Sequence, residues 1–325
     1  MKVAVVGAGA LGSYYGARLL QHGEDVHFLL RSDYEVVRDH GVAIRSVDGD
    51  FWAHPKCART PEEIGPCDLV LIALKTTAND QFPLLLPPLA NQRTAVLCLQ
   101  NGLGNLETLA RLFDSSQLLG GLCFVCIHRP EPGVIDHQAF GRIVMGEYRR
   151  WPKPRTHDLC SLFRNAGVPC DIADNLHRAQ WEKLVWNIPF NGLGVAGVAG
   201  FDAAAKGDSN ARPIRDLCLP TNELLASEQW TALIRELMRE IISVARALRL
   251  DLDDGLAECM IENTRSMADY RASTLIDFER NLPLELDSVF LEPQRRARET
   301  HVQTPRLNAL CQTLTCLQKS RDRAL

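Results

Sequence analysis

A parallel α/β sheet followed by an all-helical region is the architecture this sequence predicts, and three observations carry it. Short apolar bursts alternate with helix-length spacers up to about residue 175, a glycine-rich turn follows the first burst, and beyond residue 175 the bursts give way to apolar residues at helical spacing. A chain of 325 residues exceeds one ordinary domain, and the change of pattern divides it into residues 1–175 and 176–325.

The strands follow from one pattern. "KVAVVGAG", "DVHFLL", "DLVLIALK" and "TAVLCLQNG" are continuous Val/Leu/Ile runs of strand length, as expected of strands covered on both faces of a parallel sheet. Further runs at residues 118–128, 133–137 and 143–146 are punctuated by "RPEPG", and an antiparallel end to the sheet is one arrangement they allow. In the second half, "TALIRELMREIISVARALRL" puts Leu233, Leu237, Ile241, Val244 and Leu248 on one helical face. "TPRLNALCQTLTCLQK" does the same with Leu307, Leu310, Leu314 and Leu317 behind Pro305, a residue suited to a first helical turn. No Ser/Gly linker separates the halves, so a shared interface and a cleft are expected.

Composition narrows the function. Hydrophobic residues at 46% and charged residues at 23% exclude a disordered chain. With 36 Lys and Arg against 40 Asp and Glu and no long basic block, neither nucleic acid nor an anionic membrane is an expected partner, and a small molecule is. Eleven cysteines without a secretory leader fit reduced thiols in the cytoplasm. Cys123 and Cys126 have C-x-x-C spacing but no second pair, so they read as core thiols in a strand and no metal is expected. The most apolar run, residues 188–201, is too short and too rich in glycine to span a bilayer.

"VAVVGAGALGSYYG" supplies Gly7, Gly9 and Gly12 directly after a strand, before a helix and ahead of a second strand, the context that makes G-x-G-x-x-G a Rossmann-type dinucleotide fingerprint. Gly7 permits the tight turn, Gly9 lets backbone approach a pyrophosphate, and Gly12 lets the helix sit close to the sheet. Ala8, Ala10 and Leu11 complete a cradle at the helix N-terminus. At the end of the second strand, "FLLRSD" places Arg31 just past the strand and Asp33 two residues later. A guanidinium there suits the 2'-phosphate of NADPH.

Polar motifs follow the later strands. "LIALKTTAND" presents Lys75 and Thr76, and "VLCLQNGLGN" presents Gln100, Asn101 and Gly102, beyond the carboxyl ends where ligands of such sheets lie. "KLVWNIPFNG" aligns Lys183, Asn187 and Asn191 four residues apart on one helical stripe, which is either a solvated face or the lining of a site. Pro189 should bend that helix. "RASTLIDFERNLPLELDSVF" offers Ser273 and Glu285, the latter flanked by Leu284 and Leu286. Partial burial among Trp181, Leu184 and Trp186 would lower the pKa of Lys183, and a nearby Glu285 would oppose that shift.

Together the fingerprint, the "LK" ending one strand, the "QNG" ending the next, K-x-x-x-N-x-x-x-N, and S-x-L-x-x-D followed by E-L-D resemble the ketopantoate reductase (2-dehydropantoate 2-reductase) family over nearly the whole chain. The resemblance implies an NADPH-binding Rossmann domain over residues 1–175 and an all-helical substrate domain over 176–325. It also implies reduction of ketopantoate to pantoate in pantothenate biosynthesis. On that basis Lys183 is the expected general acid and Glu285 belongs to the catalytic set. Asn101, Asn187, Asn191, Ser273 and Glu285 are expected substrate contacts, while Arg31, Lys75 and Asn101 serve the cofactor side. An ammonium beside the ketone would stabilise the charge that grows on its oxygen and supply the proton. Ser288, Val289 and Phe290 stand where the family usually has "ING", and "RNLPLE" where "GR-x-TE" is common. These departures leave another small branched 2-oxo acid open as substrate. A non-catalytic NADP(H)-binding sensor is the alternative class, and a homodimer is left open.

Overall fold

Strand β1 (Lys2–Val6) runs through a ten-stranded sheet with β2 (Asp25–Leu29) and β6 (Leu69–Ile72) parallel on either side. Outward from them lie β5 (Lys56–Ala58) beyond β2, and β7 (Ala95–Cys98) then β8 (Leu118–Glu131) beyond β6, all parallel. The order β5-β2-β1-β6-β7-β8 is the Rossmann order, with its reversal between β1 and β6. This computed structural model describes residues 1–267 and 270–322. It divides into two units, Met1–Ala179 and Gln180–Leu325.

The rest of the sheet departs from the sequence expectation. Residues 133–137 and 143–146 are not two strands but parts of one, β9 (Val134–Glu147), antiparallel to β8. Between them Phe140 (φ 66°) and Gly141 (φ 112°) break the apolar pattern without ending the strand, and β8 carries register shifts at Phe124/Val125 and Cys126/Ile127. Such bulges bend a ribbon. β3 (Val42–Ser46) pairs parallel with the start of β9 and antiparallel with β4 (Phe51–Ala53), while β10 (Cys170–Ile172) lies parallel to the end of β9. β3, β4, β5 and β10 are three to five residues long and carry no apolar burst, so they escape a reading based on such bursts.

Helix α1 (Ala10–Gln21) packs on β1 and β2 and also meets β3, β4 and β9, so it is enclosed, with Tyr14, Tyr15, Ala17 and Leu19 in the core. The first unit continues with α2 (Tyr34–His40), α3 (Pro61–Ile64), α4 (Phe82–Leu85), α5 (Asn105–Leu109) and α6 (Pro154–Asn165). One sheet face is sealed by α1 and α6 and the other by α3, α4 and α5, giving two cores.

The second unit is helical. The division falls inside α7 (Leu176–Ala196), which is followed by α8 (Phe201–Lys206), α9 (Thr221–Ala226), α10 (Glu228–Ala247), α11 (Leu256–Arg265), α12 (Ser273–Glu279), α13 (Glu292–Glu299) and α14 (Pro305–Asp322). Leu233, Leu237, Ile241 and Val244 are buried as their spacing requires, but Leu248 lies past the last residue of α10 and is half-buried. On α14, Leu307, Leu310, Leu314 and Leu317 have no exposed surface. Among the described residues, no helix is long and apolar enough to cross a membrane.

Candidate functional site

The glycine turn after β1 assigns each glycine a different task. A Cβ on Gly7 (φ +96°) would lie 2.3 Å from the Leu74 backbone nitrogen, so the turn and the loop after β6 touch through bare backbone. One on Gly12 would lie 2.3 Å from the Gly7 carbonyl oxygen, whereas one on Gly9 would meet nothing within 4 Å. The open side is therefore at Gly9, where α1 begins without a side-chain cap and without an acidic residue in its first turn. Uncapped N–H groups with the positive end of a helix behind them form an anion site. Ala8, Ala10 and Leu11 line the same turn, and Ser13 donates to the Ala8 carbonyl at 3.0 Å.

At the end of β2, Arg31 and Asp33 go opposite ways. Arg31 is exposed and has no hydrogen bond or ion pair among the described residues. Asp33 is buried, accepts from Ser32 at 2.8 Å and is paired with Arg129 of β8. Arg59, just past β5, is committed to Glu35 and lies 4.0 Å from the centre of the Tyr34 ring.

The loops after β6 and β7 are tied by amides. Lys75 is exposed at the start of a 3-10 turn (Thr76–Gln81), and Asn101 is half-buried beyond β7. Gln100 donates to the Leu74 carbonyl at 2.9 Å and to Asn79 Oδ1 at 2.8 Å. Asn79 donates to Asn105 Oδ1 at 2.9 Å, and Asn105 to the Asn101 carbonyl at 2.9 Å. Gly102 and Gly104, at φ 83° and 85°, let the chain turn between them. Asn79 and Asn105 escaped the sequence reading, for loop amides have no periodicity and only the fold shows which backbone they hold.

In the second unit, α7 carries the polar stripe. Between residues 184 and 198 every side chain is buried except Trp186, and Lys183 just before is half-buried. Asn187 is 9% exposed and Asn191 5%, which excludes a solvated stripe. Asn191 donates from Nδ2 to the Asn187 carbonyl at 3.0 Å and accepts at Oδ1 from the Thr274 backbone N–H at 3.4 Å. It therefore joins α7 to the first turn of α12, where Ser273 is exposed. Pro189 lies inside α7 and contributes no N–H. Glu285 is half-buried just ahead of a π-helical turn (Asp287–Leu291), and its carbonyl accepts from the Val289 N–H at 3.2 Å. Ser288 within that turn is buried, and π-turns recur at functional sites.

Cys123 and Cys126 are buried cysteines of β8 that form no disulfide. Among the described residues, no group of three or more His, Cys, Asp or Glu side chains is placed to hold a metal ion.

Strand order, glycine turn and helical second unit define the class, a Rossmann-type α/β protein with a helical C-terminal region. Residues 3–150 match the family model described as ketopantoate reductase PanE/ApbA, and residues 217–318 match the one for its C-terminal part. The 2-dehydropantoate 2-reductase of Nostoc sp. is 37% identical over 326 aligned positions, covering 97% of this chain and 95% of that protein. A crystal structure of 2-dehydropantoate 2-reductase from Geobacter metallireducens superposes with a TM-score of 0.88 at 43% identity, covering 97% of this chain and 99% of that one. The enzyme of the same name from Methylococcus capsulatus gives 0.86 at 30% identity, covering 99% and 98%. The chain belongs to the ketopantoate reductase family, a family of oxidoreductases.

Proposed function

We propose that this chain reduces 2-dehydropantoate (ketopantoate) to pantoate with NADPH, the reaction of pantothenate biosynthesis, and that Lys183 is the general acid. The observation that carries the proposal is the α7 stripe, in which a half-buried lysine heads two buried asparagines on an otherwise apolar helix. A charge in that position is costly to desolvate and suits a residue that must meet a developing negative charge.

The glycine turn fits a dinucleotide. Open space at Gly9 and the uncapped start of α1 accommodate a pyrophosphate held by backbone from Gly7, Ala8, Gly9, Ala10, Leu11 and Gly12. Arg31 would hold the 2'-phosphate, and Lys75 and Asn101 would serve the cofactor side. Preference for NADPH is supported at the end of β2. There Arg129 occupies Asp33, the carboxylate nearest the strand end, while Arg31 stands exposed. Bound NADPH supplies the hydride that goes to the ketone carbon. Lys183 donates a proton from Nζ to the ketone oxygen, so the C=O becomes CH–OH. Ser273 and Asn187 hold the carboxylate and the ketone, with Glu285 accepting from the substrate's terminal hydroxyl. Asn191 keeps α12 in place through Thr274.

Replacing Lys183 by alanine should lower turnover by about a hundredfold to ten-thousandfold while NADPH still binds. Near-normal turnover of ketopantoate by that variant would remove Lys183 from the chemistry.

A further inference from the structure

We infer that Trp186 is the residue that selects the substituent next to the ketone, favouring 2-oxo acids that are branched at that carbon. The inference rests on Lys183 acting as proposed above. Trp186 lies three residues after Lys183, so the two side chains are neighbours on one face of α7. It is also the one side chain between residues 184 and 198 that is not buried. A substrate whose ketone reaches Lys183 therefore meets this ring before any other apolar group of that stretch.

The ring is fixed before any ligand arrives. Its Nε1–H donates to Thr264 Oγ1 at 2.8 Å, and Thr264, itself 2% exposed, donates to the Met260 carbonyl at 2.6 Å. Phe190, one turn on, stacks on the indole at a centroid distance of 4.9 Å and 28°. Tyr270 stands 6.0 Å away at a tilt of 48°, its carbonyl accepting from the Thr221 N–H at 3.2 Å. The polar end of the indole is thus satisfied within the protein, and what it offers outward is hydrocarbon. A rigid aromatic contributes contact area with little ordering to complete on binding. Because Phe190 already covers one face, stacking of a planar aryl group is restricted to what remains, whereas a compact branched alkyl group packs against the ring's rim.

The test is steady-state reduction at saturating NADPH of four acids: 2-dehydropantoate, 3-methyl-2-oxobutanoate, unbranched 2-oxobutanoate and phenylglyoxylate. It compares the wild-type chain with Trp186→Ala, Trp186→Phe and Thr264→Val. Wild type should prefer the branched acids to 2-oxobutanoate by about tenfold or more in kcat/KM, the scale on which apolar pockets discriminate by methyl groups. Trp186→Ala should erase most of that ratio through KM, Trp186→Phe should retain part of it, and Thr264→Val should reduce it less. NADPH affinity, read by fluorescence titration, should be the same in all four proteins. If wild type reduces none of the acids, the proposed function fails and this inference with it. If wild type reduces them but the ratio is unchanged in every soluble variant, Trp186 does not select the substituent and the function stands. Preference of wild type for phenylglyoxylate would overturn the branched-alkyl class.

Discussion

Arg31 and Asp33 are two residues apart, yet one faces solvent and the other is buried against Arg129. Arg31→Ala should therefore weaken NADPH binding about tenfold, on the scale of one charge-assisted contact, and leave NADH nearly unaffected. Equal losses for the two cofactors in a titration would make Arg31 a structural residue. Asn105 is 3% exposed and both accepts from Asn79 and donates to the Asn101 carbonyl. Its replacement by alanine strands those partners and should cost about 1–3 kcal/mol in denaturant unfolding. Arg31 was visible in the sequence because a strand end is a fixed address in this fold. The Arg129 partner of Asp33 was not, since 96 residues separate them and only the pairing of distant strands brings them together.

Helix α1 shows what an element owes to a single position. The Cβ that Gly12→Ala would add sits 2.3 Å from a backbone oxygen, where no side chain can move aside. The expected outcome is a lower melting temperature together with weakened dinucleotide binding, and an alanine variant that matches wild type in both would show that the turn can open. On α14, Leu314→Ala should cost about 2–5 kcal/mol, as for other fully buried leucines, while changes at exposed positions of the same helix stay within about 0.5 kcal/mol. Elements with strong periodicity, such as α10, α14 and the four apolar bursts, were legible. β5 was not, although it is the third strand of the Rossmann order, because three residues with one exposed and one half-buried carry no pattern. The single strand β9 looked like two because Gly141 and the left-handed Phe140 imitate a turn inside it.

At the scale of the whole molecule, the region where β3, β4 and β9 fold over α1 contains a pH-sensitive group. The His137 side chain has no exposed surface, lies 4.5 Å from the Tyr14 ring centre and shares a 2.8 Å hydrogen bond with Ser46. Burial pushes its pKa below the ordinary 6.5, with Asp48 at 3.8 Å opposing that shift and Arg18 of α1 adding to it. The unfolded chain thus takes up a proton near pH 6.5 that the native chain resists, so this contribution is complete above that pH and is lost as pH falls below it. Melting temperatures should decline from pH 7.5 to 5.5, and His137→Asn should flatten that slope. The same enclosure bears on how the protein is made. Tyr15 of α1 donates to the carbonyl of Gly141, 126 residues later, and Ser46 meets His137 across 91. At ordinary translation rates the ribosome releases β9 about 6–25 s after α1, and until then the glycine fingerprint is attached to a helix that lacks the cover β9 supplies. Pairings this distant in sequence also slow folding. A nascent chain halted before residue 134 would carry every glycine of the nucleotide turn and still lack the strand that holds its helix in place.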